Sequence, residues 1–334
     1  MRTSLSDLLA TKKIILADGA TGTNYFSLGL TSGEPPEFWL DSHPERVAGL
    51  HQRFVDAGAD IILTNTFGCN SHRLKLHNAQ ARTYELAKKA AEIARSVADS
   101  CSRPVVVAGS VGPTGELFEP LGALTHEVAV ASFEEQIRGL KDGGADVIWI
   151  ETMSAIEEVQ AAAQAAINIS MPYTATCSFD TAGRTMMGLK PDGLAEVFAS
   201  LAKSPVAMGA NCGVGASDIL VTALEMGATA SHSHLPIIVK GNCGIPRFEG
   251  VDIKYSGTPE LMARYATMAV DAGVRIVGGC CGTSPEHLAA MRMAIDSHVD
   301  GPRPTIETII SDIGPLTNKP PTENDPNRRK SRRG

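Results

Sequence analysis

Cys280 and Cys281 close an apolar run, Ile276-Val277-Gly278-Gly279, and are followed by Gly282 and Thr283. Thiolates are soft metal ligands, and flanking glycines let backbone and metal approach closely. Taken alone, the adjacent pair reads as well as a strained vicinal disulfide or two buried thiols as it does as metal ligands. A third cysteine shifts that reading. Cys212, in Gly209-Ala210-Asn211-Cys212-Gly213, also ends a predicted strand, and three thiolates from two strand ends make a zinc site with one open position. A thiol entering that position loses its proton yet stays electron-rich, which suits attack on an alkyl carbon. Hydrolytic zinc, by contrast, usually has His and carboxylate ligands. Cys243, in Gly241-Asn242-Cys243-Gly244, is a possible fourth protein ligand, and a site closed in that way would be structural. The chain would then be a non-catalytic thiol and zinc redox sensor.

The elements that position these cysteines recur along the chain. Each unit has an apolar strand ending in a polar or glycine-rich motif, then an amphipathic segment, then a turn such as Ala57-Gly58-Ala59-Asp60 or Gly143-Gly144-Ala145-Asp146. Eight strands are predicted, near residues 14 to 17, 60 to 64, 104 to 108, 146 to 150, 172 to 177, 206 to 210, 236 to 240 and 274 to 278. Eight strands alternating with helices, and no glycine-rich dinucleotide fingerprint after the first, predict a single-domain (β/α)₈ TIM-type barrel over residues 1–318. The active site of such a barrel lies at the C-terminal ends of its strands. Every distinctive motif here falls at such an end.

Those motifs, taken together, resemble the zinc-dependent homocysteine S-methyltransferases, most closely the bacterial betaine-using members. They are Asp18-Gly19-Ala20-Thr21-Gly22-Thr23, Thr64-Asn65-Thr66-Phe67-Gly68, Gly109-Ser110-Val111-Gly112-Pro113, Glu151-Thr152, Cys212, and Gly278 to Thr283, and the resemblance spans roughly residues 12 to 300. It implies Zn²⁺ on Cys212, Cys280 and Cys281, with no protein nucleophile, since the activated substrate thiol is the nucleophile. It also implies Glu151 on the homocysteine ammonium with Asp18 nearby, Gly109 and Ser110 at the carboxylate, and Thr23, Asn65 and Phe67 around the substrate. Betaine is the preferred donor; S-methylmethionine, dimethylsulfoniopropionate and a separate methyl-corrinoid protein are the alternatives. Aromatic faces would hold an onium cation, and Tyr25 and Trp39, in the long segment above the first strand, are candidates for them. That segment reads either as a lid or as packing against the next helix. The chain departs from animal-type betaine enzymes, which carry Tyr, Trp and an aromatic residue where Gly68, Pro35 and Thr152 stand here.

Bulk properties narrow the class further. The 334 residues are 43% hydrophobic, enough for a sizeable core, and the net charge of −7 argues against nucleic acid as a partner. No run is long enough to span a bilayer and Met1 to Ala10 lacks a sustained apolar core, so a cytoplasmic location with reduced thiols is expected. Association into a homo-oligomer is left open. Residues 319–334 carry six basic and two acidic residues with nothing apolar to bury, and are expected to be a disordered basic tail. None of the nine histidines has convincing ligand spacing.

Overall fold

A computed structural model describes residues 2–229, 234–249 and 252–318; the basic tail and His232 lie outside the described residues. The barrel strands are β1 (Ile15–Leu16), β2 (Ile61–Leu63), β3 (Val106–Val111), β4 (Val147–Met153), β5 (Tyr173–Cys177), β6 (Ala207–Cys212) and β7 (Ile237–Gly241). A two-stranded antiparallel hairpin follows, β8 (Pro246–Glu249) and β9 (Asp252–Tyr255), and β10 (Ile276–Gly279) is the last strand. Eight strands are hydrogen-bonded in the order β1-β10-β7-β6-β5-β4-β3-β2, and a parallel bridge from Ala17 to Ile61 joins the two ends. The fold is a (β/α)₈ barrel, as predicted. The hairpin is an addition that the sequence reading did not foresee.

Strand periodicity explains how the barrel is filled. Side chains alternate between the two faces of a strand, so Ile15 and Ala17, Ile61 and Leu63, Val106 and Ala108, and Val147 and Trp149 all point inward, with Ala207, Ile238 and Ile276 beside them. Leu5 and Leu8 join that inner cluster from the helix Leu5–Thr11, whose first turn is fixed by a capping box between Ser4 and Asp7. They plug the barrel from its N-terminal end. Residues of opposite parity, among them Leu16, Ile62, Val107, Ile148, Val239 and Val277, face the helices and share a second cluster with Leu50, Phe54, Ala90, Phe133 and Met262.

The same alternation sets up the site. One step beyond the inner apolar layer, the next inward positions are Ser110 on β3, Glu151 on β4, Asn211 on β6, Lys240 on β7 and Cys280 just past β10. Apolar side chains floor the barrel, and polar ones begin where its mouth opens.

Candidate metal centre and substrate cavity

Cys212, Cys280 and Cys281 converge at this mouth, each offering one sulfur, with all three sulfurs within 4.8 Å of one another. The Cys212 and Cys281 sulfurs are 4.0 Å apart. A tetrahedral zinc with Zn–S near 2.3 Å requires sulfurs about 3.8 Å apart, so the donor set and its spacing fit that ion. All seven cysteines are free thiols. Crowding three potential anions together raises their proton affinity. Cys212 is pushed up to about 12, first by its hydrogen bond with Cys280, and Cys281 to about 11, first by Cys212. A divalent cation would relieve that mutual repulsion.

Several neighbours hold the sulfurs in place. Cys212 has a left-handed backbone, φ 60°, unusual for a residue with a side chain. The strain is held by Asn211, whose Oδ1 accepts from Thr152 N at 2.8 Å and Thr176 Oγ1 at 2.6 Å, while its Nδ2 donates to Thr152 Oγ1 at 2.7 Å and approaches Cys280 Sγ at 3.9 Å. Asn242 Oδ1 accepts the Cys281 N–H at 3.1 Å, and Asn242 Nδ2 donates to Gly213 O at 2.9 Å. Tyr255, at the end of β9, donates its hydroxyl to Cys281. Gly282, at φ +81°, lies against the Tyr255 ring, where a Cβ would come within 2.3 Å of Cγ. Only glycine lets the hairpin lie so close.

Cys243 does not complete a fourth corner. Among the described residues the cluster contains Cys212, Cys280 and Cys281, whereas the buried Cys243 sulfur points at Gly257, where a Cβ would stand 2.6 Å from it. Its backbone N–H donates to Cys281 O at 2.9 Å, so its part in the site is to brace the loop.

Below and beside the sulfurs lies a cavity of 1410 Å³, lined among others by Thr23, Glu37, Asn65, Phe67, Ser110, Glu151, Lys240 and the three cysteines. Ser110 Oγ donates to Glu151 Oε1 at 2.5 Å. Burial raises the Glu151 carboxyl above the ordinary glutamate range, against the opposing pull of Lys240 and Ser110. Lys240 was not foreseen in the sequence; it is 2% exposed and donates from Nζ to Asp18 Oδ1 at 2.7 Å, 5.8 Å from the centre of the Trp149 ring. Burial disfavours its charge, but Asp18 and Glu151 outweigh burial and keep it protonated. The other Asp18 oxygen accepts from Leu63 N at 2.7 Å. Asp18 is thus occupied from both sides, and Glu151 is the inward carboxylate with capacity to spare.

The remaining candidates fall into two groups. Thr23, Asn65 and Phe67 reach the cavity: Thr23 Oγ1 accepts from Gly282 N at 3.1 Å, Asn65 Nδ2 donates to Pro36 O at 2.7 Å, and Phe67 packs over Gly112. Gly109, Tyr25 and Trp39 are placed elsewhere. Gly109 has the outward parity of β3, and a Cβ there would stand 2.8 Å from Leu140 Cδ1, so it serves helix packing rather than a carboxylate. Tyr25 and Trp39 are fully buried with ring centroids 5.1 Å apart, and the Arg46 guanidinium lies 5.1 Å from the Trp39 ring centre. Packing against the following helix accounts for both rings. Their segment carries the helices Gly22–Ser27 and Trp39–Ser42 with turns between them.

A parallel eight-stranded barrel that gathers three thiols at its C-terminal mouth defines a class of barrels whose site could hold a metal ion through sulfur. The profile for homocysteine S-methyltransferase matches residues 15–295, and the chain belongs to that family. It is 29% identical over 328 residues to a methionine synthase of Mycobacterium leprae, covering 92% of this chain and 26% of that protein. It is 30% identical over 313 residues to the methionine synthase of Mycobacterium tuberculosis, covering 88% of this chain and 25% of the relative. The chain thus spans about a quarter of the length of these curated relatives. In three dimensions it resembles the metallated form of the homocysteine methyltransferase MmuM from Escherichia coli, with TM-score 0.73 and 23% identity over 86% of this chain and 99% of the other, a likeness of fold.

Proposed function

We propose that this protein transfers a methyl group from a small onium donor, with betaine preferred, to homocysteine, forming methionine at zinc held by Cys212, Cys280 and Cys281. The observation that carries the reading is the convergence of three free sulfurs, 4.8 Å apart at most, on a cavity that also holds the under-occupied carboxylate Glu151. Zinc bound there supplies a positive centre that favours the thiolate form of an incoming thiol at neutral pH. Glu151 accepts the substrate ammonium, and that positive charge favours the ionised carboxylate that burial opposes. Lys240 neutralises Asp18 and leaves Glu151 free for this purpose.

The thiol proton goes to solvent, and the sulfur lone pair forms the S–CH₃ bond as the C–N bond of betaine breaks with its electrons remaining on nitrogen. Anion and cation cancel, so no general acid is needed, and a mouth shielded from water favours the step. Cytoplasmic placement fits seven free thiols, and among the described residues no helix is long and apolar enough to cross a membrane.

A second reading takes the methyl group from a separate methyl-corrinoid protein. It is favoured by the similarity to a quarter of the much longer methionine synthases. The non-catalytic sensor reading needs Cys243 at the metal, and the direction of its sulfur speaks against it. The test is methionine formation by reduced, zinc-loaded protein with homocysteine and betaine, S-methylmethionine or dimethylsulfoniopropionate supplied singly. Turnover with a free onium supports the first reading; turnover only after adding a methyl-corrinoid protein supports the second.

A further inference from the structure

With Tyr25 and Trp39 packed away, the aromatic rings facing the cavity among the described residues are Phe26, Phe67, His77 and Tyr255. Tyr255 is already engaged by Cys281, and each remaining ring face would attract an onium only modestly. The cavity offers a carboxylate instead. Glu37 is 3% exposed and lines the cavity, and its Oε1 accepts the Gly68 N–H at 2.6 Å. No ion pair to it occurs within 4 Å among the described residues. Burial raises its carboxyl above the ordinary glutamate range, against the backbone N–H groups of Glu37 and Gly68 and the charge of Arg73, and a cationic ligand would favour the ionised form.

Gly68 is what makes room for it. A Cβ at that position would stand 3.0 Å from Glu37 Oε1 and 3.7 Å from Oε2, so the carboxylate occupies the space a side chain at 68 would fill. The segment Pro36–Phe38 that delivers Glu37 is held from below by Asn65, through Pro36 O. Arg73 lines the same cavity from the helix Ser71–Leu74, which Asn70 caps through the Arg73 N–H. Its guanidinium is exposed and lies over Gly115, and its charge acts on Glu37 with no hydrogen bond or ion pair between them among the described residues. A buried carboxyl group and an exposed guanidinium at the rim thus share one cavity.

We propose that Glu37 and Arg73 form the donor subsite, Glu37 holding the onium centre and Arg73 the carboxylate, so that the donor is a zwitterionic onium carboxylate rather than a simple onium cation. The assignment rests on the methyl-transfer reading and adds to it the residues that hold the donor. Glu37 does here what an aromatic cage does elsewhere, and Arg73 sets specificity at the open end.

The test uses zinc-loaded protein at saturating homocysteine, with betaine and dimethylsulfoniopropionate as carboxylate donors, trimethylsulfonium as a donor without carboxylate, and 3,3-dimethylbutanoate as an uncharged isostere of the betaine head. Glu37→Gln is expected to raise the KM of the carboxylate donors by about tenfold or more while homocysteine KM and binding of 3,3-dimethylbutanoate hold within about twofold. Arg73→Leu is expected to cut the preference for dimethylsulfoniopropionate over trimethylsulfonium by about tenfold. Unchanged donor KM in Glu37→Gln, or an equal loss for both sulfonium donors in Arg73→Leu, overturns the assignment. Homocysteine binding is followed separately by the absorption of cobalt-substituted protein. If homocysteine leaves that spectrum unaltered, the methyl-transfer reading itself fails; if it shifts the spectrum but no onium donor binds or reacts, only the donor subsite is overturned.

Discussion

At the N-terminal end of the barrel Asp60 is buried beside Lys12 at 2.5 Å and Arg103 and Arg292 at 3.5 Å, and it also accepts the Leu16 N–H at 3.0 Å. At the C-terminal end Glu151, also buried, has one neutral donor, Ser110. Asp146 repeats the first pattern, taking Arg2 and Arg95 together with the Val107 N–H. Both aspartates end the same glycine-alanine-aspartate turn and clamp a neighbouring strand. The comparison separates two uses of a buried carboxylate. Where every oxygen is spoken for, the group holds the barrel closed; where capacity remains, it awaits a ligand.

The largest expected effect lies with the sulfurs. Cys280→Ala should abolish stoichiometric zinc and methionine formation together, measured by metal analysis and by product, while the barrel keeps its circular dichroism. Retained stoichiometric zinc would sink the ligand assignment. Next, Asp60→Ala should destabilise the fold by roughly 3–5 kcal/mol in denaturant unfolding, because it strands three cations around an emptied pocket. The folded enzyme should keep its homocysteine KM. A changed KM would show that the two ends are coupled and the contrast misdrawn.

Glu151→Gln is the converse case. Losing a charged hydrogen bond to the ammonium should raise homocysteine KM roughly ten- to hundredfold, equivalent to about 1.5–3 kcal/mol. Stability should move the other way. The folded-state pKa of Glu151 is raised, so its contribution is present at low pH and lost as pH rises through the folded value. Glutamine escapes that loss, and thermal unfolding at pH 7 should therefore occur at an equal or higher temperature. The smallest effect is on pH dependence. The acid limb of homocysteine affinity in the wild type should lie above the ordinary glutamate value of 4.5, since binding needs the carboxylate, and should vanish in Glu151→Gln.

Much of this arrangement is legible in the chain because parallel barrel strands are short apolar runs with sharp polar ends. All eight predicted strands overlap observed ones, and the three cysteines announce themselves by type and position. A lysine at the end of Ile237-Ile238-Val239 carries no signal of burial in the sequence; only closure of the barrel turns Lys240 inward. Glu37 was hidden in Glu34-Pro35-Pro36-Glu37, whose prolines suggest an exposed loop. Tyr25 and Trp39 misled for the opposite reason, since aromatic residues near a mouth invite a ligand reading while their area favours burial against each other. Gly109 has a parity that strand alternation alone reveals. The hairpin β8 and β9 lies outside the barrel and lacks the apolar run that marked the other strands.

Cys212 sits where the backbone would be more comfortable as glycine, with φ at 60°. Selection for heat tolerance alone would drift toward that exchange, and the survivor would be a sturdier barrel with one sulfur too few. Persistence of a side chain at this uncomfortable bend is therefore a running test of whether a population still uses the chemistry.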